Sequence, residues 1–432
     1  MKVLVVGGGG REHAMAWALA RSAQVSEVLV APGNAGTAGE AKVRNVGIGA
    51  EDIPALAQLA REHEVAFTVV GPEAPLVAGI VDTFREAGLQ CLGPTAAAAE
   101  LEGSKAFAKG FMSRHGIPTA AYETFDDLEQ ARDYICQARA PLVVKADGLA
   151  SGKGVEIAET LDHALLAAER MLSGEAFGEA GQRIVVEECL RGEELSFIAV
   201  VDGETVVSMA SSQDHKPRDD GDRGPNTGGM GAYSPAPLMD EALHERVMRE
   251  VLQPTVAGLA AEGRPYKGFL YAGLMIDEDG NPRVLEFNCR LGDPEAQPLL
   301  LRLCTDFAEL CEAALEGRLQ ALDLAWEARP AVGVVMAAAG YPGAVERGRV
   351  IRGLAGPECE GVKVFHGGTA LAADGAVVTN GGRVLCCCAL GDSVTAAQRR
   401  AYERVAAIDW EGAFYRSDIA HHAIRREQQA GG

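Results

Sequence analysis

The chain has 432 residues, 47% of them hydrophobic and 23% charged, with a formal charge of −21 and ten cysteines. Such a length and composition suit a soluble globular protein of about three domains, and the acidity offers no general positive field to duplex nucleic acid or an anionic membrane, so a phosphate ligand would need a local basic pocket. No cysteines are spaced C-x-x-C, and Cys386, Cys387 and Cys388 are consecutive in an apolar run, which predicts reduced thiols, a cytoplasmic protein and no zinc site.

Residues 1–10 are apolar, but Arg11, Glu12 and His13 interrupt them before any cleavage-site pattern, so no signal peptide is read. The longest uncharged apolar run, 331–340, is too short for a membrane span. Residues 2–6 predict a buried parallel strand, Gly7 to Gly10 a tight loop and 12–22 a helix, the opening of a doubly wound sheet. A dinucleotide fingerprint fails twice: G-x-G-x-x-G begun at Gly7 ends on Glu12, and begun at Gly8 it ends on His13. The second strand, 28–31, also runs into Pro32 and Gly33 where an acidic residue for a ribose would stand. The PGNAGT loop after that strand and the GPEAP loop after strand 67–70 lie at carboxyl ends of parallel strands, where open α/β sheets bind ligands. They suit a small phosphorylated ligand, with ordinary turns as the alternative. A helix over 76–87 and a strand at 91–93 close this unit, which exits at Gly93 and Pro94.

Ser104 is the expected N-cap of a helix ending near His115 and Gly116, with Lys105 and Lys109 four apart on one face, able to meet one anion or simply solvated. From 119 to 186 the pattern reads as strands and two helices, 128–138 and 161–172. Within it, VVKADGLASGKGV joins a strand holding Lys145 to a Gly/Ser/Lys loop and a return strand, 155–158. Glycines bring backbone N–H groups close and lysines add point charges, the means by which a chain covers polyphosphate; a plain hairpin loop is the alternative. It is not a Walker loop, because Lys153 is followed by Gly154, Val155 and Glu156. The next strand, 184–187, continues as EECLRGEELS, whose strand-edge backbone and carboxylates suit an adenosine, or solvent.

Residues 211–235 show no periodicity and read as a long substrate or lid loop, with disorder as the alternative, mixing Asp214, His215, Lys216 and Asn226 with close-approach glycines. A helix over 241–261 precedes strands 268–277 and 282–288 joined by a hairpin turn. On the second, Glu286 and Asn288 leave the same face, and a carboxylate with an amide oxygen suits Mg²⁺. Arg290, on the same alternation, could hold a phosphate or carboxylate bidentately. The remainder reads as a small third domain with strands 332–339, 362–366 and 384–390, a helix 393–406 and a polar, disordered tail from 425; it offers no catalytic constellation. His421 and His422 are adjacent and lack further ligands in the sequence, so no metal is assigned to them. The expected domains are 1–103, 104–325 with a lid over 119–187, and 326–432.

Taken together, VVKADGLASGKGV, EECLRGEELS, the QDHK to GPNTGGMGAYSP loop and VLEFNCRLGDPE resemble an ATP-grasp ligase. From VVGGGGREHA through PGNAGT and GPEAPL to the last domain, the chain resembles the glycinamide ribonucleotide synthetase family. The resemblance implies an α/β fold, α+β in part: an N-terminal doubly wound parallel-sheet domain, an ATP-grasp domain with a small lid, and a small C-terminal α/β domain. It implies ligation of glycine to 5-phosphoribosylamine in purine biosynthesis, with ATP and Mg²⁺ or Mn²⁺, by a monomer or weak homodimer with neither nucleic-acid nor membrane partners. Lys105 and Lys145 would meet ATP phosphates under a loop of Gly152, Lys153 and Gly154, while Glu187, Glu188, Leu190 and Glu194 would hold adenosine. Glu286 and Asn288 would hold the metal; Lys145, Arg290 and Asn226 would serve the transferred phosphoryl group. Substrates would meet Gly8, Gly10, Arg11, Asn34, Gly36, Thr37, Glu73, Asp214, Lys216, Thr227, Gly228, Gly229, Asp293 and Pro294. Pro217 and Leu291 depart from the family pattern without removing a charged ligand. Rival readings are another ATP-grasp carboxylate–amine ligase, a nucleotide-binding regulator without turnover, and an NAD oxidoreductase, the last already opposed by the failed fingerprint.

Overall fold

The computed structural model describes residues 1–150, 154–174, 178–356 and 359–430. The chain opens with β1 (Lys2–Gly7), α1 (Gly10–Arg21), β2 (Glu27–Pro32), β3 (Val43–Asn45), α2 (Ile53–Glu62), β4 (Phe67–Val70), α3 (Glu73–Val77), α4 (Ile80–Glu86) and β5 (Cys91–Leu92). The strands pair in parallel in the order β3-β2-β1-β4-β5. Val3 to Val6 and Val28 to Ala31 are fully buried, as continuous apolar strands covered on both faces must be. The order reverses between β1 and β4, so the loops carrying Gly8 to Gly10 and Pro72 open into one crevice. The single helix expected over 76–87 is two helices, because Gly79 takes φ +87° and restarts the turn.

Next come α5 (Ala96–Gly103), α6 (Lys105–Arg114), β6 (Tyr122–Phe125), α7 (Leu128–Gln137), β7 (Leu142–Ala146), β8 (Val155–Ala158), α8 (Leu161–Leu172) and β9 (Ile184–Glu188). Ser104 caps α6 as expected, its hydroxyl accepting the Phe107 N–H at 3.0 Å. The lid is the antiparallel sheet β6-β9-β7-β8, packed on α7 and α8 through Ala131, Ile135, Ala164, Ala167, Ala168 and Met171.

After β10 (Glu193–Asp202) and β11 (Val206–Ser208), the stretch expected to be an irregular loop contains four short strands, β12 (Gln213–Asp214), β13 (Pro217–Asp219), β14 (Arg223–Asn226) and β15 (Gly231–Ser234). Then α9 (Glu241–Val247) passes through a wider π turn at Met248–Leu252 into α10 (Gln253–Ala261), followed by β16 (Lys267–Ile276), β17 (Pro282–Asn288), α11 (Ala296–Arg302) and α12 (Phe307–Glu316). The sheet β11-β10-β16-β17 faces the lid sheet across a cavity.

The last part comprises β18 (Ala331–Ala337), β19 (Val362–His366), β20 (Thr369–Leu371), β21 (Val377–Thr379), β22 (Arg383–Leu390), α13 (Val394–Ala406) and α14 (His421–Ala430). Its sheet runs β12-β15-β18-β22-β19, so two strands from the stretch 211–235 belong to it and tie that stretch to the third domain. The tail expected to be disordered from 425 is helical to Ala430 in α14: Arg426 forms two bonds of 2.8 and 2.6 Å to Glu193, and Glu427 accepts the Val394 N–H at the start of α13 at 2.6 Å. Among the described residues no helix is long and apolar enough to cross a membrane. All ten cysteines are free.

Candidate functional site

A cavity of about 460 Å³ lies between the lid sheet and β17, with residues of the first and third domains closing one end. Apolar Val143, Ile157, Met275 and Leu285 line it beside Lys105, Lys145, Glu286, Asn288 and Arg290. One flat apolar stretch next to clustered charge suits a base joined to a polyphosphate.

Lys145 sits on β7 opposite Val155 and Val185, where the sheet fixes its direction, and its ammonium donates to the Leu285 carbonyl at 3.1 Å. Its other partner is Glu187, whose second oxygen contacts the Lys109 ammonium. The Glu187 carboxylate is almost wholly buried between these two lysines and its strand is paired on both sides. Glu187 lines the cavity, and its side-chain charge is directed to Lys145 and Lys109, which it positions. Glu188, Leu190 and Glu194 also line the cavity, with Leu190 beyond the last residue of β9. Lys105 enters from the first turn of α6, donating to the Gly148 carbonyl at 3.0 Å; burial depresses its pKa against the pull of Glu286. Gly154 lines the cavity, while Gly152 and Lys153 lie outside the described residues.

On β17, Glu286 and Asn288 open on the cavity on either side of buried Phe287, and a register shift against β16 lets Leu285 line it as well. Burial raises the Glu286 pKa, but Lys216, Lys145, Lys105 and Arg290 together bring it below the usual value and keep it ionised. Lys216 bridges Glu194 at 3.0 Å and Glu286 at 3.8 Å. Asp214 beside it is pushed well above its usual range by burial and by Glu295, Glu194 and Glu286, against the pull of Lys216. Just past β17, the Arg290 guanidinium meets Glu102 at 3.0 Å, Glu73 at 3.3 Å and the Asn288 amide oxygen at 3.1 Å. Glu286 and Asn288 thus offer two hard oxygens, one of them from an ionised carboxylate, a donor set that fits Mg²⁺ or Mn²⁺.

At the other end, Asn226, Thr227, Gly228 and Asp293 meet Arg11 from α1 and Arg383 from β22. Arg383 is a residue the sequence reading missed: its guanidinium bonds the Gly228 carbonyl and the Asp293 carbonyl, the latter at 2.5 Å, and lies 3.3 Å from the Asp293 carboxylate. A second cavity of about 280 Å³ adjoins it, lined by Gly8, Gly10, Asp293, Gln297 and Gly368. Glu102 was also passed over as a site residue, and a local hint for Arg383 is the Gly-Gly-Arg that opens β22.

Five expected substrate residues line neither cavity. Asn34 accepts the Gly36 and Thr37 N–H groups and donates to the Gly8 and His366 carbonyls at 3.0 and 2.7 Å, so its amide is spent on joining the first and third domains. Gly36 fits between His13 and His366, and Thr37 is fully buried. Gly229 and Pro294 pack on each other behind the Thr227 and Gly228 wall. Glu12, which stands where a dinucleotide fingerprint has glycine, turns a carboxylate into the first loop, accepting the Gly9 N–H at 2.5 Å and pairing with Arg11. His421 and His422, read as lacking further ligands, in fact meet Asp222.

Three family signatures match in sequence: phosphoribosylglycinamide synthetase N domain over residues 1–102, ATP-grasp (A) domain over 103–296 and C domain over 331–422. The chain is 62% identical over 428 residues to the phosphoribosylamine–glycine ligase of Allochromatium vinosum, covering 99% of this chain and 100% of that protein. It is 59% identical over 428 residues to the enzyme of the same name from Escherichia coli strain K12, with 99% and 100% covered. The crystal structure of phosphoribosylamine–glycine ligase from Thermotoga maritima superposes with a TM-score of 0.82 at 36% identity, covering 97% of this chain and 100% of that one. A biotin carboxylase domain from Hydrogenobacter thermophilus, at 17% identity and TM-score 0.74 over 96% of this chain and 91% of that one, shares the fold alone.

Proposed function

The chain belongs to the phosphoribosylglycinamide synthetase family, and from that membership we propose that it joins glycine to 5-phosphoribosylamine at the expense of ATP, giving glycinamide ribonucleotide, ADP and phosphate in purine biosynthesis. The observation that carries this reading is the convergence of Lys105, Lys145, Glu286, Asn288 and Arg290 on one cavity that also reaches residues of the first and third domains. Its relatives bear the ligase name, and the free cysteines suit a cytoplasmic location.

Glycine's carboxylate is a poor acyl donor, so phosphorylation to glycyl phosphate precedes attack by the amine, which expels phosphate. Lys145 and Lys105 neutralise charge on the phosphoryl oxygens, and their fixed bonds to the Leu285 and Gly148 carbonyls mean little reorganisation is needed at the moment of transfer. Glu286 and Asn288 would hold Mg²⁺ or Mn²⁺, which would neutralise phosphate charge when bound. Arg290, held by Glu102 and Glu73, brings a fixed positive charge to the same cavity, which Asn226 and Thr227 also line. Glu194, as a carboxylate lining the cavity, suits ribose hydroxyls and the Leu190 backbone suits the base edge, while Asp293, Arg383 and Gly8 to Gly10 suit the phosphoribosyl end. The acyl phosphate hydrolyses in water, so a lid carrying Gly154 and Ile157 over the cavity serves to exclude it.

ADP release measured with Mg²⁺, ATP and glycine, with and without freshly generated 5-phosphoribosylamine, tests this reading. Release that needs both substrates and is lost in Glu286→Ala supports it. No release from the wild type with both present removes the glycine assignment and leaves another carboxylate–amine pair on the same machinery.

A further inference from the structure

Away from the cavity, one cluster of titratable groups is assembled from three separated stretches. Asp222 comes from the turn between β13 and β14, His215 from the residue pair before β13, and His421 and His422 from the start of α14. His215, Asp222 and His421 each bring a ligand-type atom within 4.8 Å of the others. Asp222 has φ +55° and Ala420 φ +69°, left-handed conformations that are costly without glycine and are held here by the surrounding contacts.

The hydrogen bonds decide which atoms are available. The His215 Nε2 accepts the Ala420 N–H at 2.8 Å, so its ring proton is on Nδ1 and faces Asp222 Oδ1 at 3.6 Å. Arg416 donates to the same Oδ1 at 2.8 Å. That oxygen is therefore filled by donors, and His215 has no lone pair left for an ion. The other oxygen, Oδ2, faces His422 Nε2 at 2.9 Å and His421 Nε2 at 3.2 Å.

His421 is the group that does not balance. Its Nδ1 lies 3.0 Å from the Asp418 carbonyl, which only accepts, so the proton of the neutral ring belongs there. The Nε2 lone pair then points at a carboxylate oxygen, acceptor against acceptor. Only a cation between them resolves this. A proton on Nε2 is one such cation, and a metal ion shared with His422, whose Nε2 faces the same Asp222 oxygen, is another.

We propose that Asp222, His421 and His422 bind one divalent ion of the zinc class through Asp222 Oδ2 and the two Nε2 atoms. Bonds of about 2.0–2.2 Å in a tetrahedral shell separate ligand atoms by about 3.3–3.5 Å, close to the 2.9 and 3.2 Å between Oδ2 and the two rings. The outer contacts are those such a centre needs: Asp418 accepts from His421 Nδ1, while Arg416 and His215 hold the free Asp222 oxygen. His422 joins by moving its proton to Nδ1, which releases the exposed Arg425 now 3.1 Å away. Two imidazoles distinguish this centre from the all-oxygen pair Glu286 and Asn288, so Mg²⁺ does not fill it. The ion ties α14 to the segment that delivers Lys216 and Asn226 to the cavity.

The test uses chelator-treated full-length protein in buffer containing Mg²⁺, titrated with Zn²⁺ by calorimetry and with Co²⁺ by visible absorption. The expected result is that wild type binds one equivalent more than either His421→Ala or His422→Ala, and that its melting temperature rises with Zn²⁺ while theirs does not. Because exposed cysteines also bind these metals, the lost equivalent must carry a nitrogen–oxygen Co²⁺ spectrum and not a thiolate one. Wild type alone gives a second readout: Co²⁺ should broaden the His421 and His422 ring signals before those of His63 or His244. Equal stoichiometry in both variants, or histidine signals untouched at one equivalent of Co²⁺, overturns the proposal.

Discussion

The Glu187 carboxylate is held against the Lys145 ammonium inside the fold, with Lys109 on its other oxygen. One negative charge shared by two lysines leaves a net positive charge at the wall of the cavity, and fixes where it lies. Glu187→Gln keeps the shape and removes that charge. Breaking a buried ion pair on one side costs about 3–5 kcal/mol, and a Lys145 released from its anchor should lower the rate of ADP formation roughly 100-fold. Thermal melting and steady-state kinetics on the same sample check both effects; an unchanged melting temperature would show that the pair holds nothing.

Arg383 extends the site into the third domain, where the sequence offered no constellation. Truncation in Arg383→Ala removes charge-assisted bonds to the Gly228 and Asp293 carbonyls. Bonds of this kind contribute about 1.5–3 kcal/mol, so kcat/KM for 5-phosphoribosylamine should fall roughly 10–150-fold. The KM for ATP should move little, because the Lys105 and Lys145 end of the cavity does not touch Arg383. Equal losses for both substrates would mean that Arg383 supports the whole cleft and has no preference for one end.

The contact between the first and third domains should be acid-labile. Burial, helped by His13 and Lys363, depresses the His366 pKa from 6.5 to about 3. The unfolded chain therefore takes up this proton first as pH falls, and the stability present above pH 6.5 is lost progressively down to about pH 3, at up to about 1.4 kcal/mol per pH unit. Glu40 acts in the lower part of the window: burial raises it, yet hydrogen bonds with His13 and Lys363 bring it from 4.5 to about 2, so its contribution is lost between those values. Urea unfolding at several pH values, followed through Trp17 beside Phe365, should show this slope. His366→Asn should flatten it between pH 6 and 4 (about one proton's worth), and an unaltered slope would assign the acid sensitivity elsewhere.

Segments whose pattern is local were legible in the sequence. Phe67–Val70, Val155–Ala158, Leu161–Leu172 and Pro282–Asn288 have the bounds their apolar runs predict, because burial on one or both faces and clear punctuation define them. The same holds for Glu286 and Asn288, whose shared face follows from strand alternation alone. Short strands such as Gln213–Asp214 were not legible, since their partners are distant in the chain and two residues carry no period. Glu102 and Arg383 escaped for a related reason: each acts through a backbone or guanidinium partner that only the fold brings near. That the Asn34 amide is bonded within its own loop was not legible, because an asparagine in a glycine-rich loop has the same appearance whether its amide faces a substrate or the loop's own N–H groups.

Gly229 separates the wall of the site from its support. It has φ +112°, and a Cβ there would lie 2.4 Å from the Pro294 Cδ, a ring that cannot bend away. Its N–H also bonds the Thr227 hydroxyl at 3.0 Å, and that hydroxyl bonds the Lys216 carbonyl at 2.8 Å. Gly229→Ala therefore strains the backbone by about 1–3 kcal/mol, and relief can come only by shifting Thr227 and Gly228 into the cavity or Pro294 into Asp293. Both shifts move residues proposed to touch substrate, so activity should fall by at least about 10-fold from a misplacement of the order of 1 Å, while the melting temperature declines only modestly. Gly263→Ala provides the control: that glycine also has positive φ, at +75°, but a Cβ there meets nothing within 4 Å, so it shares the backbone strain without the collision beside the site. If the two variants lose activity equally, strain in general and not the packing of Gly229 on Pro294 governs the response.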